Sequence, residues 1–186
     1  MKTQPATVLQ TSLRLGLIGG GAAVLFALVG MVEVFGQRTI INGVVSMGQA
    51  FLAAAMLLSA FAAARQFSTV GARAMLTAGG LTGAIVGAML AALVFLGTSI
   101  NIRDVFVSAS PPLFELLSFG QAPVAGMVLL LAAGTLMGLA SAALLFLSPA
   151  MRSTTILVLL VVGVFGLLGD LLRIIISQWT YVAPAV

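Results

Sequence analysis

Five stretches of this chain are each long and apolar enough to cross a bilayer, and no other feature restricts its fold as strongly. A membrane-spanning helix needs about 20 mainly apolar residues. Leu15–Phe35, Val44–Ala64, Ala74–Leu96, Val124–Leu147 and Thr154–Ile176 meet that requirement. Inside hydrocarbon every backbone N–H and C=O must be satisfied within the protein, so each stretch reads as a helix. The charge content agrees: 6% of the 186 residues are charged, where a soluble domain carries roughly 25%. The expected fold class is all-α, a polytopic transmembrane helical bundle of about five spans. It forms a single transmembrane domain over residues 1–186, with the lipid bilayer as its surroundings.

The same composition removes several function classes. The eight basic residues are Lys2, Arg14, Arg38, Arg65, Arg73, Arg103, Arg152 and Arg173. They are scattered, whereas a nucleic-acid footprint needs them clustered on one face. There is no Cys and no His, which excludes thiolate metal sites, Cys-ligated iron–sulfur clusters and His-ligated haem. No paired acids, nucleophile–base set or phosphate loop is present, so the chain is expected to be neither an enzyme nor a holder of a cofactor or metal. Gly19-Gly20-Gly21 lies inside a span and follows no strand. Lys2 and Arg14 ahead of an apolar run resemble a signal peptide. The run reaches Phe35, however, beyond the roughly 7–15 residues of a signal core, so a retained first helix is expected.

Charge also suggests an orientation. With the N-terminus inside, the cytoplasmic segments hold Lys2, Arg14, Arg65, Arg73 and Arg152. The other side holds Arg38 and Arg103, with Arg173 late in the fifth span. The positive-inside rule prefers this arrangement. It implies an integral protein of the plasma (inner) membrane with a cytoplasmic N-terminus and an external C-terminus. Trp179 and Tyr181 stand just past the fifth span, where aromatic anchors belong. In the long external connection, Ser110-Pro111-Pro112 is a helix start, and residues 111–119 read as a short interfacial or re-entrant helix. Glycines recur every fourth residue at Gly16 and Gly20, at Gly79, Gly83 and Gly87, and at Gly134 and Gly138. In lipid this spacing brings helix backbones together.

Two hexapeptides resemble one another: Val45-Ser46-Met47-Gly48-Gln49-Ala50 and Leu117-Ser118-Phe119-Gly120-Gln121-Ala122. Each stands at the outer entry to an even-numbered span, and each follows an Arg leading into apolar residues, at Arg38 and Arg103. A two-helix internal repeat would account for both. The chain then stops halfway through a third unit, so a longer polypeptide or a partner chain is expected to complete it. A Gln amide cannot be satisfied by lipid and must face another helix, a polar cavity or the interface. Interhelical hydrogen bonding and contact with a solute are both open readings of the two glutamines.

The first copy also carries a family resemblance. Gly43-Val44-Val45-Ser46-Met47-Gly48-Gln49-Ala50-Phe51 resembles a segment of the permease subunits of branched-chain amino acid ABC transporters. There a turn-forming Gly precedes a Ser-hydrophobic-Gly-Gln run that opens a membrane helix. The resemblance covers roughly residues 36–60 and implies that Ser46, Gly48 and Gln49 lie near a translocation path. Through the repeat, Ser118, Gly120 and Gln121 join them. It also implies a cytoplasmic ATPase subunit and an external solute-binding protein as partners. The chain departs from the family in being much shorter and in having short inner loops, residues 65–73 and 148–153.

Charges within spans complete the candidates. Glu33 is close enough along the chain to pair with Arg38. Asp170 and Arg173, three residues apart, share a helix face and could line the path or a gate. Alternatively the span ends near Gly169 and both residues sit in an interfacial helix. Two functions follow: a membrane-embedded, permease-like component of a solute transporter, with branched-chain amino acids as the implied solutes, or a non-catalytic structural subunit packed against other membrane subunits in a larger complex, such as a respiratory or photosynthetic assembly.

Overall fold

The computed structural model describes residues 5–36, 39–41, 45–100, 102, 106, 109–158, 160, 161, 164 and 172. Over these residues the chain is an all-α helical bundle. Its long helices are α1 (Pro5–Leu28), α3 (Met47–Arg65), α4 (Ala72–Ser99) and α6 (Pro123–Ala143). Two short helices, α2 (Met31–Val34) and α5 (Pro111–Leu117), and two strands, β1 (Thr39–Ile41) and β2 (Val45–Ser46), join them. The strands pair antiparallel, Thr39 opposite Ser46 and Ile41 opposite Val45. Four segments are long and apolar enough to span: Thr7–Leu28, Met47–Arg65, Ala72–Ser99 and Pro123–Phe146. Most of the fifth expected span, with Asp170 and Arg173, lies outside the described residues. So do Lys2, Arg38 and Arg103, and with Arg38 the expected pairing to Glu33.

The first span differs from its expected bounds of Leu15–Phe35. Its helix starts at Pro5 and ends at Leu28. Gly30 then takes a left-handed conformation (φ 88°), and α2 begins after it. Glycine enters that region without steric cost, so the apolar run bends at Gly30 although its hydropathy continues.

The core sits on α4, which packs against α1, α3 and α6. α3 also meets α1 and α6, so α1 and α6 flank the α3–α4 pair on opposite sides. The α4–α6 contact is made backbone to backbone. A Cβ at Gly79 would fall 2.6 Å from the Gly138 carbonyl oxygen, and one at Gly87 would fall 2.5 Å from that of Leu130. Cβ atoms at Gly83, Gly134 and Gly138 would meet the carbonyls of Gly134, Gly83 and Gly79. The two glycine rows face each other antiparallel, which is how small residues hold helices together where no hydrophobic driving force exists. Gly16 and Gly20 act differently, receiving the side chains of Ile85 and Met89 from α4.

Two buried hydroxyls bridge helices. Ser12 Oγ donates to the Ala78 carbonyl (3.2 Å) and Ser141 Oγ to the Leu57 carbonyl (2.7 Å). Interhelical bonds of this kind contribute about 0.6–2 kcal/mol each. The Ser12 bond lies near a small cluster of Val8, Ala63, Phe67, Met75 and Ala78, where α1 begins, α3 ends and α4 begins. Among the described residues this end, the basic end, carries Arg14, Arg65, Arg73 and Arg152 and no acid. The other end is covered by α5. There Leu113 and Leu117 are fully buried, Phe114 packs on Gly97, and Leu116 packs on Gly36. Helix α5 is therefore built into the bundle rather than lying free in the interface.

Candidate functional site

The residues of the first hexapeptide are held by local backbone chemistry. Extended Ser46 (φ −84°, ψ 159°) is the N-cap of α3, and its Oγ accepts from the Gln49 N–H at 3.2 Å. Gln49 Oε1 in turn accepts from the Ser46 N–H at 3.0 Å. This is a capping box, which satisfies two N–H groups that a helix start would otherwise leave open. Gly48 donates its N–H to the Phe35 carbonyl (3.2 Å), and a Cβ there would strike the Val32 carbonyl. The glycine thus lets α2 cross closely over the first turn of α3. Phe35 and Phe51 seal that crossing edge to face, with centroids 5.4 Å apart.

The second hexapeptide takes a different conformation, so the two copies are not structural equivalents and the expected repeat fails at this level. Ser118 closes α5 instead of opening a helix. The Phe119 N–H donates to Leu116 O (3.3 Å) and the Gly120 N–H to Glu115 O (2.8 Å). These two bonds form a Schellman turn. Its left-handed position belongs to Phe119 (φ 56°), and Gly120 follows at φ 69°. Ser118 is buried, donates its Oγ to Glu115 O (3.1 Å) and carries Gly126 of α6 against its own Cβ. Gln121 is exposed in the connection to α6.

One cleft nevertheless brings the two segments together. It lies between α3 and α6 beneath α5 and has a volume of 190 Å³. α3 contributes Gln49, Leu52, Ala53 and Met56; α5 and its turn contribute Leu116, Leu117 and Phe119; α6 contributes Leu130, Ala133 and Met137. From Gln49 to Met56 it descends roughly 10 Å along the α3 axis. The Gln49 carbonyl oxygen is occupied by the cap. Its amide nitrogen has no partner among the described residues and is the one side-chain amide on the cleft wall. Of the residues placed near a path by the sequence, Gln49 lines this cleft. Ser46, Gly48, Ser118, Gly120 and Gln121 are not among the residues that line it.

The apolar wall and Phe119 were not among the sequence candidates. Leu52, Met56, Leu130 and Met137 look like ordinary span residues, and only packing shows which of them leave a gap. A larger groove of 410 Å³ between α1 and α4 is lined wholly by apolar side chains, including Val24, Met89, Leu93 and Phe106. It offers no polar group to orient a ligand. Among the described residues no three acids cluster as a metal site would require.

Comparison with protein-family models, with curated proteins and with solved structures finds no match. The class that fold and site define is that of a polytopic α-helical integral membrane protein with a small, mostly apolar intramembrane cleft.

Proposed function

We propose that this chain is a permease-like membrane component of a solute transporter, and that the Gln49 cleft is where it touches the solute. The observation carrying this reading is the cleft itself: it joins the segment that resembles branched-chain amino acid permeases to the Phe119 turn, and on its apolar wall stands one amide nitrogen with no partner among the described residues. Its volume lies below the roughly 300–1,000 Å³ of pockets that take drug-sized ligands, which suits a small solute with an apolar body. Among the described residues that line it the cleft has no charge. An amino acid's ammonium and carboxylate would need partners beyond these residues, because uncompensated burial is costly. An ATPase subunit and an external solute-binding protein complete the proposed assembly, and ATP hydrolysis belongs to the former. The distribution of arginines supports a cytoplasmic basic end in a plasma (inner) membrane, with the cleft toward the external side.

Uptake by the assembled transporter tests the site. Gln49→Leu is expected to reduce uptake about threefold to tenfold, the value of one hydrogen bond, while Gln121→Leu leaves it unchanged. Undiminished uptake with Gln49→Leu would remove the site. Failure of an ATPase and a solute-binding protein to co-purify would remove the transporter.

One observation favours the second reading, a structural subunit of a larger membrane complex. Residues 149–158 are helical, and Met151, Ile156, Leu157 and Val158 are 46–60% exposed. Such a helix offers an apolar surface to a neighbouring subunit. Stoichiometric co-purification with a respiratory or photosynthetic complex would decide for it.

A further inference from the structure

The basic end carries a polar cleft that the transport reading does not use. It lies between α1 and the end of α3 and has a volume of 360 Å³. Gln10, Thr11 and Arg14 of α1 line it together with Gln66, the C-cap residue of α3; Leu15 and Ile18 line the remainder. Gln10, Arg14 and Ile18 follow one another at four-residue spacing, as do Thr11 and Leu15, so α1 presents one continuous face to it. Along that face the polar groups stand toward the helix start and the apolar ones toward the bilayer interior.

Arg14 is exposed and makes no ion pair or hydrogen bond with any described residue. Its guanidinium offers five donors in a rigid fork suited to phosphate oxygens, and the Gln10 and Gln66 amides and the Thr11 hydroxyl can add more. The described acids, Glu33 and Glu115, both stand at the other end, while Arg65, Arg73 and Arg152 add positive charge at this one. Basic clefts between membrane helices at the cytoplasmic level hold anionic headgroups.

We propose that this cleft binds the phosphate headgroup of an anionic membrane lipid, with Arg14 bonding the phosphate and the first acyl methylenes lying on Leu15 and Ile18. Inorganic phosphate shares the headgroup chemistry, but it would leave the apolar part of the cleft unfilled.

Native mass spectrometry of the detergent-solubilised full chain tests this, with phosphatidylglycerol, phosphatidylcholine and inorganic phosphate as separate probes. Phosphatidylglycerol is expected to bind at one saturable site, and Arg14→Gln to weaken it about tenfold or more, the value of a hydrogen bond to a charged group. Arg73→Gln removes the same charge from the same end outside the cleft and should leave binding within experimental scatter. If Arg14→Gln does not survive extraction, Gln66→Leu makes the same test. Equal binding of phosphatidylcholine would overturn the proposal, and so would an equal loss in Arg73→Gln, which marks diffuse attraction. Inorganic phosphate binding as tightly as the lipid would assign the cleft to a free anion and overturn the lipid assignment.

Discussion

At the scale of single residues, Gln49 carries two tasks with one side chain. Its carbonyl oxygen closes the cap of α3, and its amide nitrogen is left for the cleft. The two tasks separate experimentally. Ser46→Ala removes the other half of the cap and should cost about 1 kcal/mol of stability, read by unfolding in mixed micelles, with uptake retained at temperatures where the bundle is folded. Phe119 poses the opposite case. It holds a left-handed conformation that costs a non-glycine residue about 1–2 kcal/mol, although the residue is 44% exposed. Phe119→Gly should therefore stabilise the protein by about 1 kcal/mol while weakening solute binding, since the ring forms part of the cleft wall. A destabilised variant with normal uptake would show that the ring is there for packing.

These residues also show what was legible in the sequence. The Ser-x-x-Gln spacing of a capping box stood in plain view at Ser46 and Gln49, yet the same spacing at Ser118 and Gln121 builds no cap. Context decides between them. Ser46 ends strand β2 and precedes helix-forming Ala50 and Leu52. Ser118 arrives at the end of a helix started by Ser110-Pro111-Pro112, and Pro123 keeps Ala122 extended (ψ 146°). The residue before a proline is pushed out of the helical region, so no helix can begin before Pro123. The similarity of the hexapeptides is real in letters and absent in conformation.

At the scale of elements, hydropathy located the second, third and fourth spans well and misjudged the ends of the first. An apolar count registers where lipid is tolerated, not where hydrogen bonding begins, so it missed the turns from Pro5 to Arg14 and the break at Gly30. The four-residue glycine spacing foretold close packing, but not the partner. Gly79, Gly83 and Gly87 face a second glycine row, whereas Gly16 and Gly20 face side chains. This distinction predicts different tolerances. Gly83→Ala places a methyl against the Gly134 carbonyl and should cost about 1–3 kcal/mol, the usual range for overpacking. Gly21→Ala meets nothing within 4 Å and should be neutral or stabilising by up to about 1 kcal/mol through helix propensity. Unfolding of the two variants side by side in mixed micelles checks both signs.

At the scale of the whole molecule the two ends differ in character. Facing glycines join α4 to α6 along their middle, and the basic half carries the Ser12 and Ser141 bridges and the polar cleft at Arg14. Toward the α5 end the same helices part enough to leave the Gln49 cleft and the apolar groove beside α1 and α4. The arginines are the ground for placing the basic end in the cytoplasm, which sets the Gln49 cleft toward the external side. That asymmetry was not legible beforehand, because it depends on which side chains fill the gaps rather than on how apolar they are. The charge bias hinted at the orientation alone. The chain contains no cysteine, so single cysteines can report it in intact cells through a membrane-impermeant maleimide. Gln121→Cys is expected to be labelled from outside and Ser68→Cys only after permeabilisation. Labelling of both from one side would contradict the membrane-spanning bundle, and the reverse pattern would contradict a cytoplasmic basic end.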